Sequence, residues 1–281
     1  MMNDNIAGSV GASFAPLTIS DADFRRLADF VKSNYGIDLT QKRQLITGRL
    51  SPTIRKMGYQ NFTDFVDHLL RQKNQEEITM LLNKLTTNYT FFMREQEHLD
   101  YFRNRILPEL VRRHQRDKIL SIWSAGCSTG EEPYNLSMYL FDYLGSHAAQ
   151  WDTRILATDI SARALTTAQK GIYELPDTIP SEWKRKYFTP NADGTFTVSH
   201  AVRDNVIFQS FNLMDPIRFK RKFDVIFCRN VMIYFDQPTK DALVRRFYDA
   251  TVPGGYLLIS YSENISPRSP YHRLSTATFQ K

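Results

Sequence analysis

The chain has 281 residues, 42% hydrophobic and 23% charged, the ordinary balance of a soluble globular protein with one large or two moderate domains. Its two cysteines, Cys127 and Cys228, exclude a disulfide framework and lack metal-ligand spacing, so a reducing cytoplasm and no bound metal are expected. The formal net charge of +6 favours an anionic partner without choosing between nucleic acid, acidic protein and membrane surface.

In chain order, residues 1–17 are polar and small and read as a disordered tail, not a signal peptide. Residues 18–86 read as an all-α domain. Ser20 and Asp23 can cap a helix carrying Phe24, Leu27, Phe30 and Val31 at helical spacing. A second follows Thr40, with Leu45, Ile46, Leu50 and Ile54 on one stripe and Pro52 expected to break or kink it. Asn61 caps a third through Leu70, and a fourth carries Ile78, Leu81, Leu82 and Leu85. Residues 87–116 read as a linker and a connecting helix from about Glu95 to Arg113.

Residues 117–281 change rhythm. Short apolar runs (Ile119 to Ser124, Arg154 to Thr158, Val206 to Phe211, Phe223 to Cys228, Tyr256 to Ser260) alternate with helical stretches near Pro133 to Leu144, Ala162 to Gln169 and Thr239 to Ala250. This predicts an α/β domain with a parallel sheet covered on both faces and its ligand at the carboxyl edge of the strands. Over about 172–204 the pattern lapses. The turn Asn191-Ala192-Asp193-Gly194 between two short runs predicts a small antiparallel insert, preceded by a short helix around Ser181 to Lys186.

The first strand runs into Trp123-Ser124-Ala125-Gly126-Cys127-Ser128-Thr129-Gly130-Glu131-Glu132-Pro133. Glycines between strand and helix permit a tight turn and close approach to a ligand. The acidic pair disfavours a pyrophosphate and suits a ligand with an ammonium group, such as the methionine end of S-adenosylmethionine, unless it only complements the helix dipole. Asp159 ends the second strand, where a carboxylate can accept from ribose hydroxyls or cap the next helix. Asn212 and Leu213, then Arg229, Asn230 and Val231, follow later strands onto the same rim. Thr86 to Arg94 reads as a packed linker or as a strip that closes over the ligand.

Three segments together resemble the CheR-type chemotaxis receptor methyltransferases: Asn88-Tyr89-Thr90-Phe91-Phe92-Met93-Arg94, the run Trp123 to Pro133, and Phe227-Cys228-Arg229-Asn230-Val231-Met232-Ile233-Tyr234-Phe235. Ser262-Glu263-Asn264 fits as well. The resemblance covers about Ser20 to the C-terminus. It implies an all-α N-terminal domain, then a Rossmann-like class I methyltransferase domain with a small antiparallel β insert. It further implies S-adenosylmethionine bordered by Asn88, Thr90, Arg94 and Gly126, with Glu131 at its amino group and Asp159 at its ribose. Asn212, Leu213, Arg229 and Asn230 would complete the pocket, and Arg94 and Tyr234 would lie nearest the transferred methyl.

The implied acceptor is a glutamate on the cytoplasmic methylation helices of a chemotaxis receptor. A glutamate is already ionised at neutral pH, so the lack of an obvious catalytic His or Cys fits. Lys42, Arg43, Arg49, Arg55 and Lys56 on the second helix could dock an acidic receptor or simply form a solvated face. The insert looks shorter than in those members of the family whose β-subdomain binds a receptor C-terminal peptide, so tether-independent action is expected. The protein is expected to be a cytoplasmic monomer, recruited to receptor arrays, with no membrane insertion. A nucleic-acid methyltransferase would share the sheet, but Arg229-Asn230-Val231-Met232 stands where a Pro-Pro-aromatic loop or a Pro-Cys nucleophile is needed. A non-catalytic binding module is the other alternative, and Arg94 with Tyr234 speaks against a decayed site.

Overall fold

The computed structural model describes residues 16–86 and 88–281; the expected N-terminal tail falls outside them except for Pro16 and Leu17. Four helices come first: α1 (Asp21–Tyr35), α2 (Arg43–Lys56), α3 (Phe62–Gln72) and α4 (Gln75–Leu85). Local chemistry sets their ends. Ser20 Oγ accepts from Asp23 N at 3.1 Å and donates to the Asp23 carboxylate at 2.7 Å. Asn61 caps α3 through Asp64 N, and Asn74 caps α4 through Glu76 N. Pro52 does not break α2, which is assigned as helix through to Lys56.

The connecting helix is not uniform. Its parts are α5 (Gln96–Tyr101), a π-helical turn at Phe102–Ile106, and α6 (Leu107–Arg113). The remaining elements are β1 (Ile122–Ala125), α7 (Glu131–Leu144), β2 (Ile155–Asp159), α8 (Ala162–Lys170), β3 (Ile172–Tyr173), α9 (Ser181–Tyr187), β4 (Phe188–Pro190), β5 (Phe196–Val198), α10 (His200–Asp204), β6 (Val206–Ser210), β7 (Phe223–Cys228), α11 (Gln237–Ala250), β8 (Thr251–Ile259), β9 (His272–Ser275) and β10 (Thr278–Gln280).

The main sheet has seven strands in the order β6-β2-β1-β7-β8-β10-β9. β1 pairs in parallel with β2 on one side and β7 on the other, with Ile122 opposite Ile155 and Val225. The chain therefore winds outward from β1 in one direction, then returns and winds outward in the other. The crevice beyond the carboxyl ends of β1 and β7 is the switch point. Beyond the parallel strands that the sequence pattern predicts, β10 pairs antiparallel with β8 and β9 antiparallel with β10, closing the far edge. The insert forms a separate three-stranded antiparallel sheet, β3-β5-β4.

Alternating strand residues feed two cores. Trp123 and Ile226 pack with α11 and with the N-terminal helices, in one continuous cluster that includes Leu27, Ile46, Phe65 and Leu81. Ile122, Val225 and Phe227 pack on the opposite face with α5 to α7 and the insert. The helical segment thus shares its core with the sheet. Polar ties reinforce the contact: Asp38 N donates to Tyr234 O at 2.8 Å, Asn212 Nδ2 to Asn34 O at 2.8 Å, and Lys32 pairs with Asp236 at 2.8 Å. Among the described residues, no helix is long and apolar enough to cross a membrane.

Candidate active site

A cleft open to solvent lies at the switch point between the carboxyl edge of the sheet and the end of α1. Asn88, Thr90, Arg94, Gly126, Asp159, Asn212, Leu213, Arg229, Asn230 and Tyr234 all line it. Glu131 does not. Its carboxylate accepts from Thr129 Oγ1 at 2.7 Å, and burial pushes it above the usual carboxylate range. Its neighbour Glu132 lines the cleft instead.

The glycine turn is as tight as its sequence implies. Gly126 sits at φ 88, and a Cβ there would stand 2.3 Å from Val231 Cγ2. Gly126 N and Cys127 N both donate to Thr158 O, which lays this turn across the end of β2. Asp159 is held beside it: its carboxylate accepts from Ser128 N at 2.7 Å and Ser161 N at 2.8 Å. Burial nevertheless raises its pKa, with those backbone bonds opposing. A carboxylate so fixed at a strand end retains acceptor capacity for hydroxyl donors.

Arg229 is committed within the protein. Its guanidinium donates to Glu132 at 2.9 Å, to Glu95 at 3.2 and 3.3 Å, and to the carbonyl of Arg94. Asn212 is similarly engaged, donating to Asn34 O and accepting from Met214 N. These two residues bound the cleft while their side chains brace its walls. Asn230, at φ 60, donates from its side chain to Ser260 Oγ at 2.7 Å. Glu263, within the Ser-Glu-Asn segment, accepts from the backbone N–H groups of Ser260, Asn230 and Ile233, fixing the β7 and β8 ends together.

The strip Asn88 to Arg94 forms the cleft's outer wall. Ser128 Oγ donates to Asn88 O at 3.0 Å, and Asn88 Nδ2 to Ser161 Oγ at 3.1 Å. Arg94 donates to Tyr89 O at 2.7 Å and lies within 6 Å of the Tyr89 and Phe91 ring centroids. No carboxylate is paired with Arg94 among the described residues. Tyr35, at the end of α1, and Ile37, just past its Gly36 cap, also line the cleft. Helical spacing alone gave no reason to select them.

The basic positions on α2 divide. Arg43 binds Asp21 at 2.5 Å, donates to Ile19 O, and lies 4.5 Å from the Phe24 ring centroid. Arg49 donates to the carbonyls of Lys84, Leu85 and Thr86 at the end of α4. Lys42 and Lys56 are exposed, and Arg55 is half-exposed.

A doubly wound sheet with an antiparallel last hairpin, an acidic end on its second strand and a ligand cleft at the switch point defines a Rossmann-like class I methyltransferase. Residues 88–279 match the family described as CheR methyltransferase, SAM binding domain, and residues 22–86 the one described as CheR methyltransferase, all-alpha domain. The chain is 38% identical over 271 residues to a chemotaxis protein methyltransferase of Borreliella burgdorferi, covering 94% of this chain and 96% of that protein. Identity is 37% to the Salmonella typhimurium chemotaxis protein methyltransferase, over 89% of this chain and 86% of that protein. It is 36% to the Escherichia coli one, over 89% and 87%. The chain belongs to the CheR family of chemotaxis protein methyltransferases.

Proposed function

We propose that the chain transfers a methyl group from S-adenosylmethionine to glutamate side chains on the cytoplasmic methylation helices of chemotaxis receptors. The product is a glutamate methyl ester that serves sensory adaptation. The observation that carries this reading is the inequality of the two arginines at the cleft. Arg229 is matched by two carboxylates, whereas Arg94 presents a guanidinium with no carboxylate paired to it among the described residues. Such a group suits an incoming carboxylate, through charge-assisted hydrogen bonds.

The cleft fits the cofactor on its own chemistry: an acidic strand end, a turn that leaves no room for a side chain at Gly126, and mixed polar and apolar walls. S-adenosylmethionine supplies a methyl group activated by its sulfonium. Asp159 would accept from the ribose, and Asn88, Thr90, Gly126, Leu213 and Asn230 would border the rest. Glu132, already charge-paired at the cleft wall, is better placed than Glu131 for the amino group. The acceptor glutamate titrates near ~4.3 and needs no general base. The protein has then to align a carboxylate oxygen, which can lower a barrier by roughly 7–11 kcal/mol in favourable cases. Arg94 holds that carboxylate without quenching it, because the attacking oxygen loses charge in the transition state. Tyr234 offers its ring to the sulfonium or its hydroxyl to the acceptor; Tyr234→Phe removes only the second.

Lys42 and Lys56, the exposed basic positions, are assigned to docking an acidic receptor helix, with Arg43 and Arg49 bracing α2. Action is independent of a receptor C-terminal tether. Adding a peptide strand to the insert requires a free sheet edge. Asn191 N bonds Thr195 O and Ser199 N bonds Tyr187 O, so in β4 the outward positions are Phe188 and Pro190. Pro190 has no N–H, which leaves a single outward donor on that edge. The opposite edge, β3, is two residues long. Titration with such a peptide should give no binding at micromolar concentrations, and micromolar affinity would overturn tether independence.

Replacing the methylation-helix glutamates of a cognate receptor by alanine tests the acceptor. Incorporation of methyl label should vanish with them, and label persisting on that receptor would refute the assignment.

A further inference from the structure

We infer that Glu95 is a positioning residue for methyl transfer, acting through its neighbour Arg94. This rests on the assignment of Arg94 to the acceptor carboxylate.

Glu95 lies just beyond the strip, at φ 51, a left-handed backbone that an unbranched acidic residue adopts only when its surroundings enforce it. It occupies the N-cap position of α5, but its side chain makes no capping bond there. Its side chain instead reaches the sheet edge: Oε1 accepts from Ser260 Oγ at 2.7 Å, at the end of β8. Oε2 accepts from Arg229 Nη2 and Nε, just past β7. Arg229 completes the lock by donating to the carbonyl of Arg94 and to Glu132 on α7. Three elements of the rim thus meet in one network around residues 94 and 95, in which Arg229 bonds both the Arg94 carbonyl and the Glu95 carboxylate. The Arg229 side chain is only 3% exposed and that of Glu95 17%, so water competes little for these bonds.

At the other end, the strip is held by Asn88 to Ser128 and Ser161. Between the two anchors, the Arg94 side chain has one bond, to Tyr89 O, and two flanking rings. Its direction is therefore set chiefly by where its own backbone is pinned. Moving that anchor moves the guanidinium while leaving Asp159 and the glycine turn in place.

Loss of the Glu95 charge should not collapse the rim, because Arg229 keeps Glu132 as a counter-ion. The test is a double-mutant cycle in receptor methylation, with kcat and the KM for S-adenosylmethionine measured separately. Glu95→Gln, which keeps an acceptor for Ser260, should lower kcat about tenfold, and Glu95→Ala more, with the cofactor KM within about twofold of wild type. In an Arg94→Lys background with residual activity, Glu95→Gln should cost no further activity, since a residue acting through Arg94 has nothing left to position. Independent, multiplying losses, or wild-type kcat in Glu95→Gln, would overturn the inference. Full activity in Arg94→Ala would instead refute the role of Arg94 itself, so the two failures are distinguishable. Should Glu95→Ala fail to fold, Glu95→Gln decides alone.

Discussion

Asp159 carries the most exposed expectation about cofactor binding. Its carboxylate is held by two backbone N–H groups, and burial raises its pKa. Asp159→Asn keeps the shape and removes a charged acceptor, a change worth about 1.5–3 kcal/mol per hydrogen bond lost. Calorimetry should therefore show cofactor affinity at least tenfold weaker. The raised pKa means the carboxylate takes up a proton at a higher pH than an ordinary aspartate. Cofactor affinity should thus begin to fall, as pH is lowered, above the usual aspartate range, and the Asn variant should lack that limb. Gly126→Ala tests the turn. Its Cβ would collide with Val231 at a positive φ, so a lowered melting temperature and loss of cofactor binding are expected together. At this scale the sequence was readable for placement: Gly126 at a tight turn and Asp159 at a strand end both line the cleft. Glu95 was not, because its partner Arg229 is 134 residues away and no local pattern links them. Tyr35 and Ile37 were missed for the same reason: one ends α1 and the other follows its Gly36 cap, and only packing brings them to the cleft.

Among the elements, β7 runs over Phe223–Cys228, the span its apolar run predicts, since a strand buried on both faces leaves an uninterrupted signal. The C-terminal hairpin gave no such signal. His272-Arg273-Leu274-Ser275 is an edge strand with an exposed, mostly polar sequence, and β10 has three residues. β3 and α10 are likewise too short for periodicity to register. The rim element centred on Glu95 makes a stability prediction. Burial works against its charge, but His98, Arg229 and Ser260 outweigh it and hold the carboxyl down to about 2. A depressed acid contributes stability that is present above its unfolded pKa and lost as pH falls through the folded one. Urea midpoints should therefore decline between about pH 4.5 and pH 2 in the wild type, and less steeply in Glu95→Gln. For α2, Arg49→Ala removes a charged donor from the carbonyls at the end of α4 and should cost about 1.5–3 kcal/mol of stability while leaving the receptor KM unchanged. Reversing Lys42 and Lys56 to glutamate should raise that KM, and more at low salt than at high salt. A KM indifferent to both charge and salt would remove α2 from the docking surface.

For the whole molecule, the decisive feature is that the helical segment and the sheet share one core and enclose one cleft. The resemblance in three short motifs implied a cofactor site, but the closing of that site by the end of α1 is a property of the assembled fold. The proposed product is a carboxyl ester. The direct measurement is transfer of tritiated methyl from S-adenosylmethionine to membranes carrying one cognate receptor, followed by alkaline release of volatile label. Label on the receptor should be released as methanol by base and be absent with Arg94→Ala. Receptor label that survives alkali would contradict the proposed product, because a methyl on nitrogen or carbon is not an ester.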